Sequence, residues 1–149
     1  MKIGLISDTH DRLDPQVHEI FKGVDQILHA GDICTDEIIF ELGMIAPVTY
    51  VLGNNDYVIQ GRQFVAPEIE GIQFFMIHIV DSYAARHEIA RLRPQVVIHG
   101  HTHVPRDEVV DGVRFINPGS VYRGRQGAGR SVAVMEVRKG VQNVVFHAI

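Results

Sequence analysis

The segment KIGLISDTH, residues 2–10, decides the fold, because a short apolar run here ends in a cluster of polar residues. Such a run is typical of a buried β-strand that leads into a loop. The pattern recurs in residues 25–30 (DQILHA), which run into Gly31 and Asp32, and again in residues 48–52. We therefore predict successive strands that deliver polar side chains at their carboxyl ends.

Helical patterns separate these strands. Residues 15–21 begin with a proline suited to an early helical position and have apolar residues spaced by three and four, and residues 36–44 follow the second strand. A third helix is predicted over residues 82–92, capped by Ser82 and stopped before Pro94. The alternation of strand and helix indicates an α/β fold.

The remaining segments favour strands. We predict strands near residues 63–69, at residues 72–77 and at residues 95–98, the last of which leads into a Gly-His-Thr-His block. The final third looks all-β, with hairpins formed by residues 106–110 with 113–116 and by residues 131–137 with 141–147. We expect both hairpins to extend a second sheet. The whole chain, residues 1–149, then forms one α/β domain of two packed mixed β-sheets flanked by helices.

Composition narrows the class of protein. With 149 residues and 46% hydrophobic content, the chain can bury one core, and its net charge of -4 argues against a nucleic-acid partner. A single cysteine, Cys34, cannot form an internal disulfide. No apolar run reaches the roughly 18 residues of a membrane span, and the first residues do not resemble a secretion signal. We expect a cytoplasmic protein without a membrane partner, and a self-pairing C-terminal hairpin would allow a homodimer.

Seven polar residues fall at or just after predicted strand ends, where open α/β sheets bind their ligands. They are Asp8, His10, Asp32, Asn54, His78, His101 and His103. Carboxylate, amide and imidazole groups are the ligands that a two-metal hydrolytic site needs. Each also has a simpler interpretation: Asp8 and Asp32 as turn or capping residues, and His78 as a satisfied core histidine. Their order along the chain favours metal ligands.

Five short blocks carry a resemblance to a known family. They are Asp8-x-His10, Gly31-Asp32, Gly53-Asn54-x-Asp56, the lone His78, and Gly100-His101-x-His103. In this order they resemble the signature of the calcineurin-like metallophosphoesterases. Together with the short length and the turn at residues 117–120, they look most like the small bacterial and archaeal phosphodiesterase branch. The resemblance implies a four-layer sandwich and a dinuclear metal-dependent phosphodiesterase.

The resemblance also implies residue roles. One metal would be bound by Asp8, His10 and His103, the other by Asn54, His78 and His101, and Asp32 would bridge them. Small phosphodiesters would be hydrolysed by attack of a hydroxide that bridges two divalent metal ions. Manganese is the expected metal, and nickel, iron and zinc are the alternatives. Asp56 is expected to orient the Asn54 loop.

The chain departs from the family pattern at Asn55, where relatives usually have His or Cys. An amide cannot supply a proton near neutral pH, so general-acid help to the leaving group would be missing, although Asn55 could still contact substrate. Residues 122–130 (YRGRQGAGR) predict a mobile loop, from which Arg123 or Arg125 could bind phosphate. A charged, solvated loop is the simpler interpretation.

Two other functions remain open from the sequence. The same fold resembles a eukaryotic retromer subunit, so the chain could be a metal-binding protein-interaction scaffold with little activity. A nuclease would need a basic track for a nucleic-acid strand, and the acidic balance argues against it.

Overall fold

The protein is described by a computed structural model that covers all residues, Met1 to Ile149. It contains eleven strands and three helices. The strands are β1 (Lys2–Ile6), β2 (Gln26–His29), β3 (Val48–Tyr50), β4 (Phe64–Val65), β5 (Glu68–Ile69), β6 (Ile72–Ile77), β7 (Val96–Ile98), β8 (Arg106–Val110), β9 (Val113–Asn117), β10 (Ser131–Arg138) and β11 (Val141–Ala148). The helices are α1 (Gln16–Ile20), α2 (Asp36–Gly43) and α3 (Tyr83–Leu92).

The strands form two mixed sheets. The first has the order β11-β10-β1-β2-β3, with β1, β2 and β3 parallel and the β10–β11 hairpin antiparallel to β1. The second has the order β4-β6-β7-β9-β8, with β6, β7 and β9 parallel and with β5 also paired to β6. Each sheet therefore has a parallel centre whose strands end at one edge.

The alternation of side chains along the strands produces four layers, since successive residues of a strand face opposite sides of its sheet. Phe74 and Met76 of β6 pack with Leu5 of β1 between the two sheets, whereas Phe75 and Ile77 face α3. On the far side of the first sheet, residues of α1 and α2 cover the sheet. The predicted two-sheet α/β fold is confirmed.

The approach of α1 to the first sheet depends on a glycine. A Cβ on Gly4 would lie 3.0 Å from the Phe21 ring, which is fully buried just after α1. A larger residue in β1 would push this ring, and with it α1, away from the sheet.

Several predicted boundaries are refined by the structure. Ser82 caps α3 as predicted, because its Oγ accepts a hydrogen bond from the Ala85 N–H at 3.1 Å. The strand predicted near residues 63–69 is two short strands, β4 and β5, separated by Ala66 and Pro67. Proline lacks the N–H that a continuous strand would use in pairing.

One prediction about topology was wrong in part. Hairpin β8–β9 extends the second sheet as expected, but β10–β11 joins the first sheet beside β1. Burial explains the difference, since Ala133 and Met135 of β10 belong to the core between the sheets and need β1 as a neighbour. None of the three helices has the length and hydropathy needed to cross a membrane.

Candidate metal centre

The carboxyl ends of the central strands of both sheets meet at one edge of the sandwich. Asp8 and His10 follow β1, Asp32 follows β2, Asn54 follows β3, His78 follows β6, and His101 and His103 follow β7. This close approach requires glycine at two positions. A Cβ on Gly53 would overlap the Asp32 carboxylate, and one on Gly100 would overlap the Ser7 hydroxyl.

Asp8 lies at the centre of one group of side chains. Its Oδ1 is 3.1 Å from Nε2 of His103 and 3.7 Å from Nε2 of His10. Asp8 is fully buried and His103 is nearly so, while His10 is half-buried. These three donor atoms lie close enough together to surround one ion.

Asp32 lies between this group and His78. Its Oδ2 is 3.4 Å from Nε2 of His10 and 3.4 Å from Nε2 of His78. On its other side, His78 has Nδ1 2.7 Å from the carbonyl oxygen of Ala30, which leaves Nε2 directed at the carboxylates. Asp8, Asp32 and His78 form a second compact group of potential metal ligands.

Asn54 and His101 lie at the outer side of this second group. The Asn54 side-chain oxygen is 3.1 Å from Nδ1 of His101, and the His101 ring packs edge-on against His78 with centroids 5.3 Å apart. Asn54 is exposed and His101 half-buried. The structure therefore brings all seven predicted ligands to one edge, five as a compact centre and two beside it.

Four buried atoms at this centre have no hydrogen-bond partner: Asp8 Oδ1, His10 Nε2, His78 Nε2 and His103 Nδ1. Nearly all buried polar atoms in folded proteins are paired, so such a concentration needs an explanation. Two divalent ions would supply it for the first three atoms, because imidazole nitrogen and carboxylate oxygen are both good ligands for divalent transition metals. The residues present therefore fit the metal ions that the motif implies.

Backbone strain is concentrated at the same residues. Asp8, His10, Asp32, His101 and His103 all have positive φ, between 46° and 72°. Non-glycine residues adopt this left-handed conformation at a cost of about 1–3 kcal/mol each, and such residues cluster at functional sites. Surrounding hydrogen bonds must impose this geometry.

The centre keeps its carboxylates ionised. Burial alone would raise the pKa of Asp8, but the neighbouring imidazoles of His10, His103 and His78 outweigh it, so the pKa lies well below its ordinary value. For Asp32, burial is likewise outweighed by His78 and Asn55, which lowers the pKa to about 2. Two anionic ligands are therefore available at neutral pH.

Asp56 fastens the loop that carries Asp32. Its Oδ1 accepts the N–H groups of Ile33 and Cys34 at 2.9 and 2.8 Å, and its Oδ2 accepts those of Asp32 and Gly53 at 2.9 and 2.7 Å. The sequence predicted that Asp56 orients the Asn54 loop. Its contacts show that it ties the loop after β3 to the loop after β2.

Two supporting residues, Ser7 and Ser120, were missed in the sequence. The Ser7 hydroxyl donates to Asp8 Oδ2 at 2.6 Å, and the Ser120 hydroxyl donates to the Asp8 carbonyl at 3.2 Å. His29 is fully buried; its Nδ1 accepts the Gly31 N–H, and its Nε2 is 3.1 Å from the Thr9 hydroxyl. The only signals in the sequence were that Ser7 directly precedes Asp8 and that Ser120 ends the turn at residues 117–120.

The arginine-rich loop, residues 122–130, is tied to the centre by its backbone. The Tyr122 N–H donates to the Asp8 carbonyl at 2.9 Å, and the Arg125 N–H donates to the His103 carbonyl at 3.3 Å. Arg130 forms an ion pair with Asp14 at 2.9 Å and so supports the loop. The loop predicted to be mobile is thus hydrogen-bonded along its length, and Arg123 and Arg125 stay free of ion pairs with carboxylates.

Two mixed sheets that meet at an edge of buried aspartate and histidine side chains define a metallophosphoesterase fold. The match to a family model agrees: residues 1–140 match the calcineurin-like phosphoesterase superfamily domain. The chain belongs to this superfamily. Membership in a metallophosphoesterase family implies that divalent metal ions bind at the site.

Individual relatives point the same way. The chain is 38% identical over 132 residues to a probable metallophosphoesterase of Methanothermobacter thermautotrophicus, covering 80% of this chain and 77% of the relative. It is 34% identical over 143 residues to the phosphodiesterase MJ0936 of Methanocaldococcus jannaschii, covering 80% and 83%.

Solved structures extend the comparison to the fold. A structure described as a novel archaeal phosphodiesterase matches with a TM-score of 0.79 and 29% identity, covering 99% of this chain and 100% of that one. Zinc-complexed Vps29 from Entamoeba histolytica matches with a TM-score of 0.77 and 20% identity, covering 99% and 98%. The second similarity shows a shared fold only.

Proposed function

We propose that this protein is a dinuclear metal-dependent phosphodiesterase that hydrolyses small phosphodiesters. The observation that carries the proposal is the set of unpaired, buried atoms on Asp8, His10 and His78 around the Asp32 carboxylate. Asp8, His10 and His103 would hold one ion, Asn54, His78 and His101 the other, and Asp32 both. The phosphodiesterase relative supports the same reaction.

The ligand set suits attack on a phosphodiester anion. When bound, two divalent ions would lower the pKa of a water molecule and polarise the phosphoryl oxygens. Asp8 and Asp32 contribute two negative charges, and Asn54 contributes a neutral amide oxygen. The loaded centre therefore stays net positive, which attracts a substrate with one negative charge.

The role of Asn55 differs from that of an acid. Its side chain donates to Asp32, and an amide supplies no proton near neutral pH. Asn55 thus acts as a positioning residue for Asp32, and phosphodiesters with good leaving groups should react best. Arg123 and Arg125, which form no ion pair with a carboxylate, would bind the anionic phosphate group of the substrate.

The direct test is hydrolysis of bis-p-nitrophenyl phosphate by metal-stripped protein to which manganese, nickel, iron or zinc is added back. We expect turnover with at least one metal and its loss in Asp32→Ala. Asp111→Asn, in an exposed turn at the far end of β8, is a control that should keep full activity. An Asn55→His variant tests whether the missing acid limits poor leaving groups.

A metal-binding interaction scaffold is the second candidate. Tyr57 and Val58, directly after the Asn54 loop, are 83% and 78% exposed, and exposed apolar side chains beside a site can serve protein contacts. Bound metal without turnover of any diester would favour the scaffold. Manganese as the native metal, a cytoplasmic location and a homodimer stay predictions.

A further inference from the structure

A cleft of about 440 Å³ opens directly beside the candidate metal centre, between the loop after β3 and the start of α3. Its volume falls within the roughly 300–1,000 Å³ that small-molecule sites occupy. Ten residues line it, and two of them are the predicted ligands Asn54 and His78. Asn54 and His78 belong to both the cleft and the centre, so a molecule bound at the centre can extend into the cleft.

The cleft has no charged wall. None of its ten lining residues is Lys, Arg, Asp or Glu, and Leu52, Phe64, Ile77, Ile79 and Ala84 are apolar. A second phosphate group would find no cation there, and burying an unpaired charge in such surroundings is costly. An apolar group would instead lose water-exposed surface, which is favourable.

The arginine-rich loop, residues 122–130, has the reverse character. It carries Arg123 and Arg125, neither of which lines the cleft, and its backbone N–H groups donate to the carbonyls of Asp8 and His103. The site therefore has an uncharged cleft and, apart from it, two guanidinium groups without a carboxylate partner. A substrate that fills the cleft carries an apolar ester group there.

We infer that the cleft binds an apolar or aromatic ester group of the substrate, so that the physiological phosphodiester has one such group and no second phosphate beside it. This inference rests on the proposed function for its reaction, but the binding of the apolar group can be measured separately. Phe64 of β4 and Ala84 of α3 both line the subsite.

The kinetic test compares p-nitrophenyl phenyl phosphate with p-nitrophenyl methyl phosphate, which share a leaving group and differ in the retained ester. We expect kcat/KM to favour the phenyl ester by about tenfold, as burial of an aromatic ring predicts. Ala84→Trp should fill the cleft and abolish the preference for the phenyl ester. Ala90→Trp, at another exposed position of α3, should change neither value.

A binding test works even without turnover. Methyl NMR signals of Leu52, Ile77 and Ile79 should shift on addition of diphenyl phosphate and not of dimethyl phosphate, and Ala84→Trp should suppress the shifts. These shifts, together with no hydrolysis of either p-nitrophenyl ester, would contradict the phosphodiesterase and still support the subsite. Equal kcat/KM for the two esters, or equal shifts with the two diesters, would overturn the subsite.

Discussion

Asn55 holds both carboxylate oxygens of Asp32: its side-chain Nδ2 donates to Oδ2 at 2.8 Å and its backbone N–H donates to Oδ1 at 2.9 Å. Oδ2 is also the oxygen that lies 3.4 Å from both His10 and His78. The residue that departs from the family pattern therefore fixes the orientation of the one carboxylate placed between the two groups of potential metal ligands.

Replacing Asn55 by Ala should weaken metal binding, because the backbone bond alone leaves the Asp32 carboxylate less well oriented. Changes to groups that orient metal ligands typically cost about 10- to 100-fold in affinity or activity. Calorimetric titration of metal-free protein with Mn²⁺ measures the loss. Asn143→Ala, exposed on β11, is the matched control. If Asn55→Ala and Asn143→Ala bind Mn²⁺ with the same affinity, the side-chain bond from Asn55 to Asp32 is dispensable.

Asp56→Asn should destabilise the fold as well as the site. One carboxylate oxygen becomes an NH₂ group that faces two backbone N–H donors, so two charge-assisted bonds are lost together. We expect the free energy of unfolding to fall by about 2–4 kcal/mol, measured by urea denaturation of metal-free protein. An unchanged denaturation midpoint would mean that the two loops do not depend on Asp56.

Arg125→Gln should raise KM for bis-p-nitrophenyl phosphate by about tenfold with a smaller change in kcat, since a charge-assisted contact to phosphate would be lost. Arg138→Gln is the control, because Arg138 is exposed on β10 and remote from the site. If Arg125→Gln and Arg138→Gln have the same KM, the loop is a solvated surface and binds no substrate.

The pH dependence of stability should follow His29. Burial lowers the pKa of His29 to about 3, below the ordinary value of 6.5, so the unfolded chain binds a proton that the folded protein excludes. This contribution to stability is present above pH 6.5 and is lost as pH falls towards 3, by up to about 1.4 kcal/mol per pH unit.

The His29→Asn variant isolates this effect, because the Asn oxygen can still accept the Gly31 N–H while nothing titrates. Unfolding free energies of metal-free wild type and variant, measured between pH 4 and 7, should converge as pH falls. Parallel curves would show that His29 is protonated in the folded protein.

Much of the fold and centre could be predicted because the same short segments contain both the apolar run of a strand and the polar residues of the site. The apolar run before Asp8 and the glycine before Asp32 indicate both a strand end and a ligand. The placement of β10 could not be predicted, since its alternating pattern fits either sheet and only the packing of Met135 against β1 selects one. The contacts of Asp56 could not be predicted either. The backbone N–H groups that donate to it lie in loops, and no pattern of side chains in the sequence predicts the course of a loop.

A two-metal phosphodiesterase differs from a one-metal enzyme in the number of Mn²⁺ ions needed for turnover. Metal-free protein is titrated with Mn²⁺ at concentrations well above the dissociation constant, while hydrolysis of bis-p-nitrophenyl phosphate is followed. We expect turnover to rise to a plateau at two equivalents per chain and to be absent in Asp32→Ala. A plateau at one equivalent, or no turnover with two ions bound, would contradict it.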